Sequence, residues 1–267
     1  MRQQIKDLIF KSYHVGHRFK NMLCDHQREH IVVLCYHRVS DDLRDHVTVG
    51  IDQFAEQIAF LKANYTLVSL REITHDRPSE ASGPLVSITF DDGYLDNYQH
   101  AFPILTKEGV SATFFISTDH ITEQKPFAHD LEKLGYGLPN MSWDQIREMH
   151  RAGMDFGSHT ANHVDLGQVD EADAWQELTR SDAAVRTELG IDDNLFAFPF
   201  GRSTNMSAGN HALVRKAGYR CCCSAYGGLN ERSRFDPFDI KRIGVNYGFS
   251  LPAIAAYVDG WRRRQRG

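Results

Sequence analysis

The sequence predicts an α/β fold built on a parallel sheet or barrel, and three observations carry that reading. Short continuous apolar runs rich in β-branched residues recur along the chain, the pattern of strands buried on both faces. Segments of helical period lie between them, joined by short turns, so strand and helix alternate almost throughout. The residues of interest for chemistry stand just past the ends of the apolar runs. With 267 residues and 42% hydrophobic composition the chain can build one large core, and an α/β barrel of this length commonly forms one domain.

The elements follow in order. Residues 1–29 read as a helical extension, amphipathic through Ile5, Leu8, Ile9 and Tyr13 among Arg2, Lys6, Lys11 and Arg18. "IVVLCY", Ile31 to Tyr36, is the first buried strand, and it stops at His37. "DQFAEQIAFLKANY" spaces Phe54, Ile58 and Leu61 as a helix does, with Asp52 as its N-cap. "LVSITF" is the next strand, ending at Asp91. "NYQHAFPILTKEGV" is a helix with a proline near its start or middle, and "SATFFIS" is the strand after it. The helix "SWDQIREMHRAG" closes on Gly153 as C-cap, and the strand "MDFGS" ends at His159. The helix "DEADAWQELTRSDAAVRTELG", the strand "LFAFPF" and the helix "GNHALVRKAG" come next, and the strands "YRCCCSA" and "IKRIGV" complete a unit set at residues 30–267.

A net charge of -5 with both signs mixed along the chain gives no electrostatic footprint for nucleic acid. The cysteines, Cys24, Cys35 and the run Cys221 to Cys223, are odd in number and lack C-x-x-C spacing, which favours free thiols in a reducing compartment. The first thirty residues hold no apolar h-region and no run is long enough to span a bilayer, so a cytoplasmic location is expected. The amphipathic start and the basic tail "WRRRQRG" suit a weak peripheral contact with the inner membrane; a packed helix and a frayed end are the plain alternative.

In a β/α barrel the carboxyl ends of the strands form one rim, which would gather His37, Asp91, Asp92, His159, His163 and the "FPFG" turn into one candidate site. Within "SITFDDGYLDNY", Ser87 to Tyr98, two adjacent carboxylates repel, and burying one unpaired is costly. They need open water, as in a solvated turn, or a cation and a proton. "HTANH" sets His159 and His163 four apart, the spacing at which two imidazoles face one way on a helical turn and can share a metal. Two histidines and one aspartate form a facial ligand set with open positions, beside which the second carboxylate is free to act as a base. The cation would neutralise Asp92 while Asp91 takes a proton from water; adjacency alone leaves the reverse assignment open.

"TFDDG", "HTANH" and "FPFG", in this order, resemble the polysaccharide deacetylase family, carbohydrate esterase family 4, with its NodB-homology domain. The resemblance spans Leu85 to Val245. It implies a distorted β/α barrel and metal-dependent removal of N-acetyl, or sometimes O-acetyl, groups from sugars. Asp91 matches the family's catalytic base, and Asp92, His159 and His163 match its metal ligands. Thr160 matches a loop-steadying Ser or Thr. Pro199, Phe200 and Gly201 fall in the third motif, whose backbone near Phe200 would line the acetyl pocket and help hold the oxyanion. Ala197 stands where the family usually has an arginine that orients the catalytic aspartate. Arg242 in "IKRIGV" is the candidate replacement, with a structural salt bridge as the alternative.

The family's late-strand acid histidine has no counterpart, because the only histidine after Gly201 is His211, inside a helical segment. "LCYHRV", Leu34 to Val39, resembles the N-terminal motif of the branch acting on poly-N-acetylglucosamine and related surface polysaccharides. By that resemblance His37 protonates the leaving amine; a structural histidine at the rim is the alternative.

The implied function is a metal-dependent hydrolase of the N-acetyl group of an N-acetylhexosamine unit, in a polysaccharide or its biosynthetic intermediate. Zinc comes first among divalent ions, although the ligand set suits others. The expected cytoplasmic location favours a nucleotide-linked or lipid-linked intermediate. The rivals are a hydrolase of another C–N or ester bond on the same metal site, and a catalytically impaired carbohydrate-binding relative. Trp143 and Trp175 read as core. Cys221 to Cys223 alternate across a strand and so cannot all chelate one ion. Tyr94, Asn97 and Tyr226 lie near the rim.

Overall fold

Parallel pairing follows directly from the apolar runs. In the computed structural model, which describes residues 30–75 and 83–260, "HIVVLCY" forms β1 (His30–Tyr36), buried along its whole length. The N-terminal extension, Cys24 and the basic tail lie outside the described residues. β2 (Arg38–Val39) and β3 (Thr48–Val49) pair with each other in a small separate sheet. Helix α1 (Ile51–Asn64), β4 (Thr66–Leu67) and α2 (Leu70–His75) lead to β5 (Leu85–Phe90), again fully buried. A π-helical turn, Asn97–Ala101, runs into α3 (Phe102–Glu108), followed by β6 (Thr113–Ile116), α4 (Thr118–Glu123), α5 (Ala128–Leu134) and α6 (Trp143–Arg151). β7 (Asp155–Ser158), α7 (Glu171–Leu189), β8 (Leu195–Ala197), α8 (Ala208–Lys216) and β9 (Cys221–Cys223) continue the alternation. β10 (Asn230–Glu231), β11 (Arg242–Gly244) and α9 (Leu251–Val258) complete it.

The sheet runs β10-β1-β5-β6-β7-β8-β9, with β11 also on β1 and β4 also on β5. All its pairs are parallel except β1 with β10. It curls until Cys223 on β9 makes a parallel bridge with Ile240, two residues before β11, which in turn pairs β1. The result is the expected distorted β/α barrel. Alternate residues of β1 separate as a period of two requires: Ile31 and Val33 join the cluster with Phe115, Cys221 and Cys223, while Val32, Leu34 and Tyr36 join the cluster containing Phe54 and Ile58 of α1. Cys222 falls in a third cluster, so the three cysteines do alternate.

An aromatic ladder fixes the register that matters for the site. Tyr36, Phe90, Phe114 and Phe156 are aligned partners on adjacent strands, stacked at centroid distances of 5.4, 4.7 and 5.5 Å. Each such contact adds about 0.5–1.5 kcal/mol beyond its burial. Because Tyr36 and Phe90 are level, the residues that follow them, His37 and Asp91, emerge together at the rim.

Several boundaries differ from the sequence reading. Gly50, not Asp52, caps α1; the Asp41 carboxylate accepts from the Ile51 N–H at 3.1 Å, and Asp52 sits in the first turn. Ser142 and Gln145 form a capping box on α6, and Ala152 is its C-cap, with Gly153 one residue beyond. "LFAFPF" is strand only through Ala197. Pro103 enters at the start of α3, directly after the π-helical turn. Among the described residues no helix is long and apolar enough to cross a membrane.

Candidate active site

Asp91 follows β5 directly and is 3% exposed, as is Asp92. Asp92 adopts φ +76°, a left-handed conformation that turns successive carboxylates apart. The next residue must be glycine: Gly93 has φ +96°, and a Cβ there would meet Ile116 at 3.0 Å and Ile121 at 3.1 Å. The two aspartates therefore face different partners.

Asp91 points to Arg242 on β11. Arg242 Nη1 donates to Asp91 Oδ1 and Nη2 to Oδ2, each at 2.7 Å, in a fork that only arginine offers. Arg242 is fully buried, and its Nε donates to the Ser224 carbonyl at 2.6 Å. The Cys35 thiol also donates to Asp91 Oδ2, at 3.4 Å. Burial alone would raise the Asp91 pKa, but the Arg242 guanidinium, followed by His159, holds it below the usual carboxylate range. Cys35, His37 and Asp91 also bring ligand-type atoms within 4.8 Å of one another, yet the guanidinium on Asp91 opposes a second cation there.

Asp92 faces the histidines. Its Oδ1 lies 3.2 Å from His163 Nε2 and 3.5 Å from His159 Nε2, and the three ligand-type atoms fall within 4.8 Å. Oδ1 is nevertheless buried without a hydrogen-bond partner. Such an orphaned carboxylate oxygen between two ring nitrogens fits a divalent cation bound by all three. The ring of His159 is set for ligation: its Nδ1 bonds the Ala197 carbonyl at 2.8 Å, leaving Nε2 toward Asp92. Burial, reinforced by His163, lowers the His159 pKa to about 4, so the ring is neutral near pH 7. Burial would raise the Asp92 pKa, but His163, His37 and His159 outweigh it and drive it far down.

"HTANH" is not a helical turn as the spacing suggested. It is an irregular loop with Thr160 at φ +63° and His163 at φ +54°, which still brings the two rings to 5.1 Å. Thr160 Oγ1 accepts from the Val164 N–H at 3.2 Å, and Glu177 on α7 accepts from the Asn162 backbone and side chain at 2.7 and 2.8 Å. Phe200, at φ +62° and 49% exposed, packs against His163 at 5.0 Å. Pro199 and Gly201 are buried beneath it; Gly201 has φ +53°, and a Cβ there would reach Ala225 N at 2.5 Å.

Asp91, Asp92, His159, His163 and Phe200 line a cleft of about 210 Å³ together with His37, His46, His129, Lys133 and Arg202, while Pro199 and Gly201 lie behind its wall. A larger cavity of about 710 Å³, beside Gly228, Phe235 and Lys241, contains none of the motif residues. The sequence reading assigned no element to the wall carrying His129, where α5 spans only seven residues. Its Tyr94 neighbour donates to Asp130 at 3.1 Å and lies 2.9 Å from His129 Nε2. Tyr94 and Asn97, placed near the rim from sequence, are buried, at 2% and 0% exposure.

Known proteins agree with this architecture. The protein YxkH of Bacillus subtilis (strain 168) is 27% identical over 236 residues, covering 86% of this chain and 76% of that protein. The poly-beta-1,6-N-acetyl-D-glucosamine N-deacetylase of Escherichia coli (strain K12) is 25% identical over 265 residues; the match covers 85% of this chain but spans only 38% of that enzyme. Among solved structures, the deacetylase PplD of Streptococcus pyogenes superposes with a TM-score of 0.72 at 23% identity, covering 84% of this chain and 96% of that one. IcaB from Ammonifex degensii gives 0.70 at 25% identity, covering 88% and 99%. The family model described as polysaccharide deacetylase matches residues 79–222, more than half of the sequence, and the chain belongs to that family.

Proposed function

We propose that the protein is a metal-dependent N-deacetylase acting on an N-acetylglucosamine-type unit of a polysaccharide or its biosynthetic intermediate, with residues 30–267 as the catalytic unit and 1–29 as an extension. The observation that carries the reading is the contrast between the two aspartates. Asp92 has an orphaned oxygen between His159 and His163, while Asp91 is clamped by Arg242. The substrate class rests on the relatives named poly-beta-1,6-N-acetyl-D-glucosamine N-deacetylase.

Asp92, His159 and His163 would hold the cation, with zinc as the proposed ion. When bound, it supplies Lewis acidity to the acetyl carbonyl and lowers the pKa of the attacking water. Asp91 takes that water's proton. A carboxylate has about four acceptor positions; Oδ2 already accepts from Arg242 and Cys35 and Oδ1 only from Arg242, so the proton is taken at Oδ1. Arg242 serves in place of the arginine absent at Ala197, keeping Asp91 ionised and fixed in orientation. His37, on the same rim and in the same cleft, protonates the departing nitrogen. Phe200, Pro199 and Gly201 form the acetyl pocket, with the backbone near Phe200 toward the oxyanion.

The test is acetate release from β-1,6-linked N-acetylglucosamine oligomers by zinc-loaded protein, run beside O-acetyl and N-formyl sugars. Acetate from the N-acetyl oligomers above the other two supports the reading; preference for the ester or formamide assigns the other bond. Cytoplasmic location, with peripheral contact at the inner membrane, belongs to the same proposal and is tested by cell fractionation.

A further inference from the structure

The stretch that supplies Asp91 and Asp92 also reaches back to the strand end that supplies His37. Asn97, fully buried at the first position of the π-helical turn, donates from Nδ2 to the His37 carbonyl at 2.8 Å. The same Nδ2 donates to Asp96 Oδ1 at 3.0 Å. Asp96, 8% exposed, accepts from the Val39 N–H at 3.1 Å and from Arg38 Nε at 2.8 Å. Residues 37, 38 and 39 are therefore each bound by one of two adjacent side chains some 60 positions away.

The backbone after β1 is also held on its other side, where the Arg38 and Ser40 N–H groups donate to the Val47 and Val49 carbonyls at 3.2 and 3.0 Å and Val39 is buried in the core, but none of these bonds reaches the His37 carbonyl. β2 is two residues long, and its only sheet partner is β3. Buried hydrogen bonds, and above all those to a carboxylate, are costly to leave unmade, so the cluster can fix this backbone in one conformation. A general acid must hold its proton within hydrogen-bond reach of the leaving atom, and small misplacements are expensive in rate.

We propose that Asn97 and Asp96 are positioning residues for the acid step: they fix the backbone of residues 37–39 so that the His37 ring stays in the cleft beside Asp91. This rests on the reading of His37 as the acid. It places base, metal ligand and support for the acid in one segment, Asp91 to Asn97, so the relative placement of the reacting groups is set by a single piece of chain.

The experiment compares two substrates in zinc-loaded protein. An N-acetylglucosamine oligomer needs a proton on its leaving nitrogen, whereas 4-nitrophenyl acetate expels a phenolate that needs none. The ratio of amide to aryl-ester turnover does not depend on how much of a variant is folded, so a poorly folding variant still gives an answer. Asn97→Ala is expected to lower that ratio about tenfold, less than the 10²–10⁴ that the acid-base group itself supplies. Asn97→Ser, which keeps a donor, should recover part of it. In a His37→Ala background, Asn97→Ala should cause no further loss, the signature of one residue acting through another. Equal falls in both turnovers, or losses that multiply in the double variant, would overturn the positioning role. If His37→Ala itself leaves the ratio unchanged, the assignment of His37 as acid fails first, and the inference with it.

Discussion

Arg242 grips Asp91 by both carboxylate oxygens, 2.7 Å each, from two strands away in the sheet, although 151 positions separate the two in sequence. A fully buried arginine with a buried carboxylate is costly to assemble and far more costly to break. Arg242→Lys keeps the charge but loses the fork, and should reduce kcat by up to about 100-fold while the protein stays folded. Arg242→Met leaves Asp91 unpaired and should destabilise by about 3–5 kcal/mol. With the guanidinium gone, burial becomes the governing influence and the acid limb of the pH–rate profile should move up. Unfolding curves and pH–rate profiles check this; a lysine variant indistinguishable from wild type would contradict it.

Gly201 carries a second prediction. Its left-handed φ and the 2.5 Å approach of an added Cβ to Ala225 N leave no room for alanine without moving backbone. Gly201→Ala should cost about 1–3 kcal/mol and displace Phe200 from His163. Thermal melting and the KM for the oligomer report the two effects; an unchanged melting point with unchanged KM would show that the turn tolerates a side chain.

Acid sensitivity of the metal-free protein is the third. Burial depresses the folded pKa of His159 to about 4, so between about pH 6.5 and 4 the unfolded chain binds a proton that the native state refuses. Stability from this group is complete above pH 6.5 and is lost as pH falls toward 4, by at most roughly 3 kcal/mol. Asp91 and Asp92, both depressed, extend the loss to lower pH. Urea unfolding in chelator across this range should show the decline, and His159→Gln should flatten its upper part. A parallel decline in that variant would assign the effect elsewhere.

Much of this was legible in the sequence because the barrel strands are apolar on both faces. "IVVLCY" and "LVSITF" need no context to be read as buried strands, and the residue after each is therefore a rim residue. Arg242 was legible only as a candidate, since nothing local to "IKRIGV" tells a buried arginine from a surface one; its partner lies on another strand. The loop form of "HTANH" was missed because four-residue spacing suits a helix and a left-handed loop equally. The roles of Asp96 and Asn97 left no signal, since both act through hydrogen bonds to residues about 60 positions earlier. The wall with His129 was hidden for a different reason: α5 spans seven residues, too short for a periodic pattern.

The opposite tasks of two neighbouring aspartates are the core of the account, and one paired measurement tests them. Asp91→Asn and Asp92→Asn proteins are each assayed for bound metal per chain and for acetate release from the oligomer. Asp91→Asn should keep close to one ion per chain and lose turnover. Asp92→Asn should lose both. If Asp91→Asn releases its metal, or retains wild-type acetate release, the assignment of ligand and base is wrong.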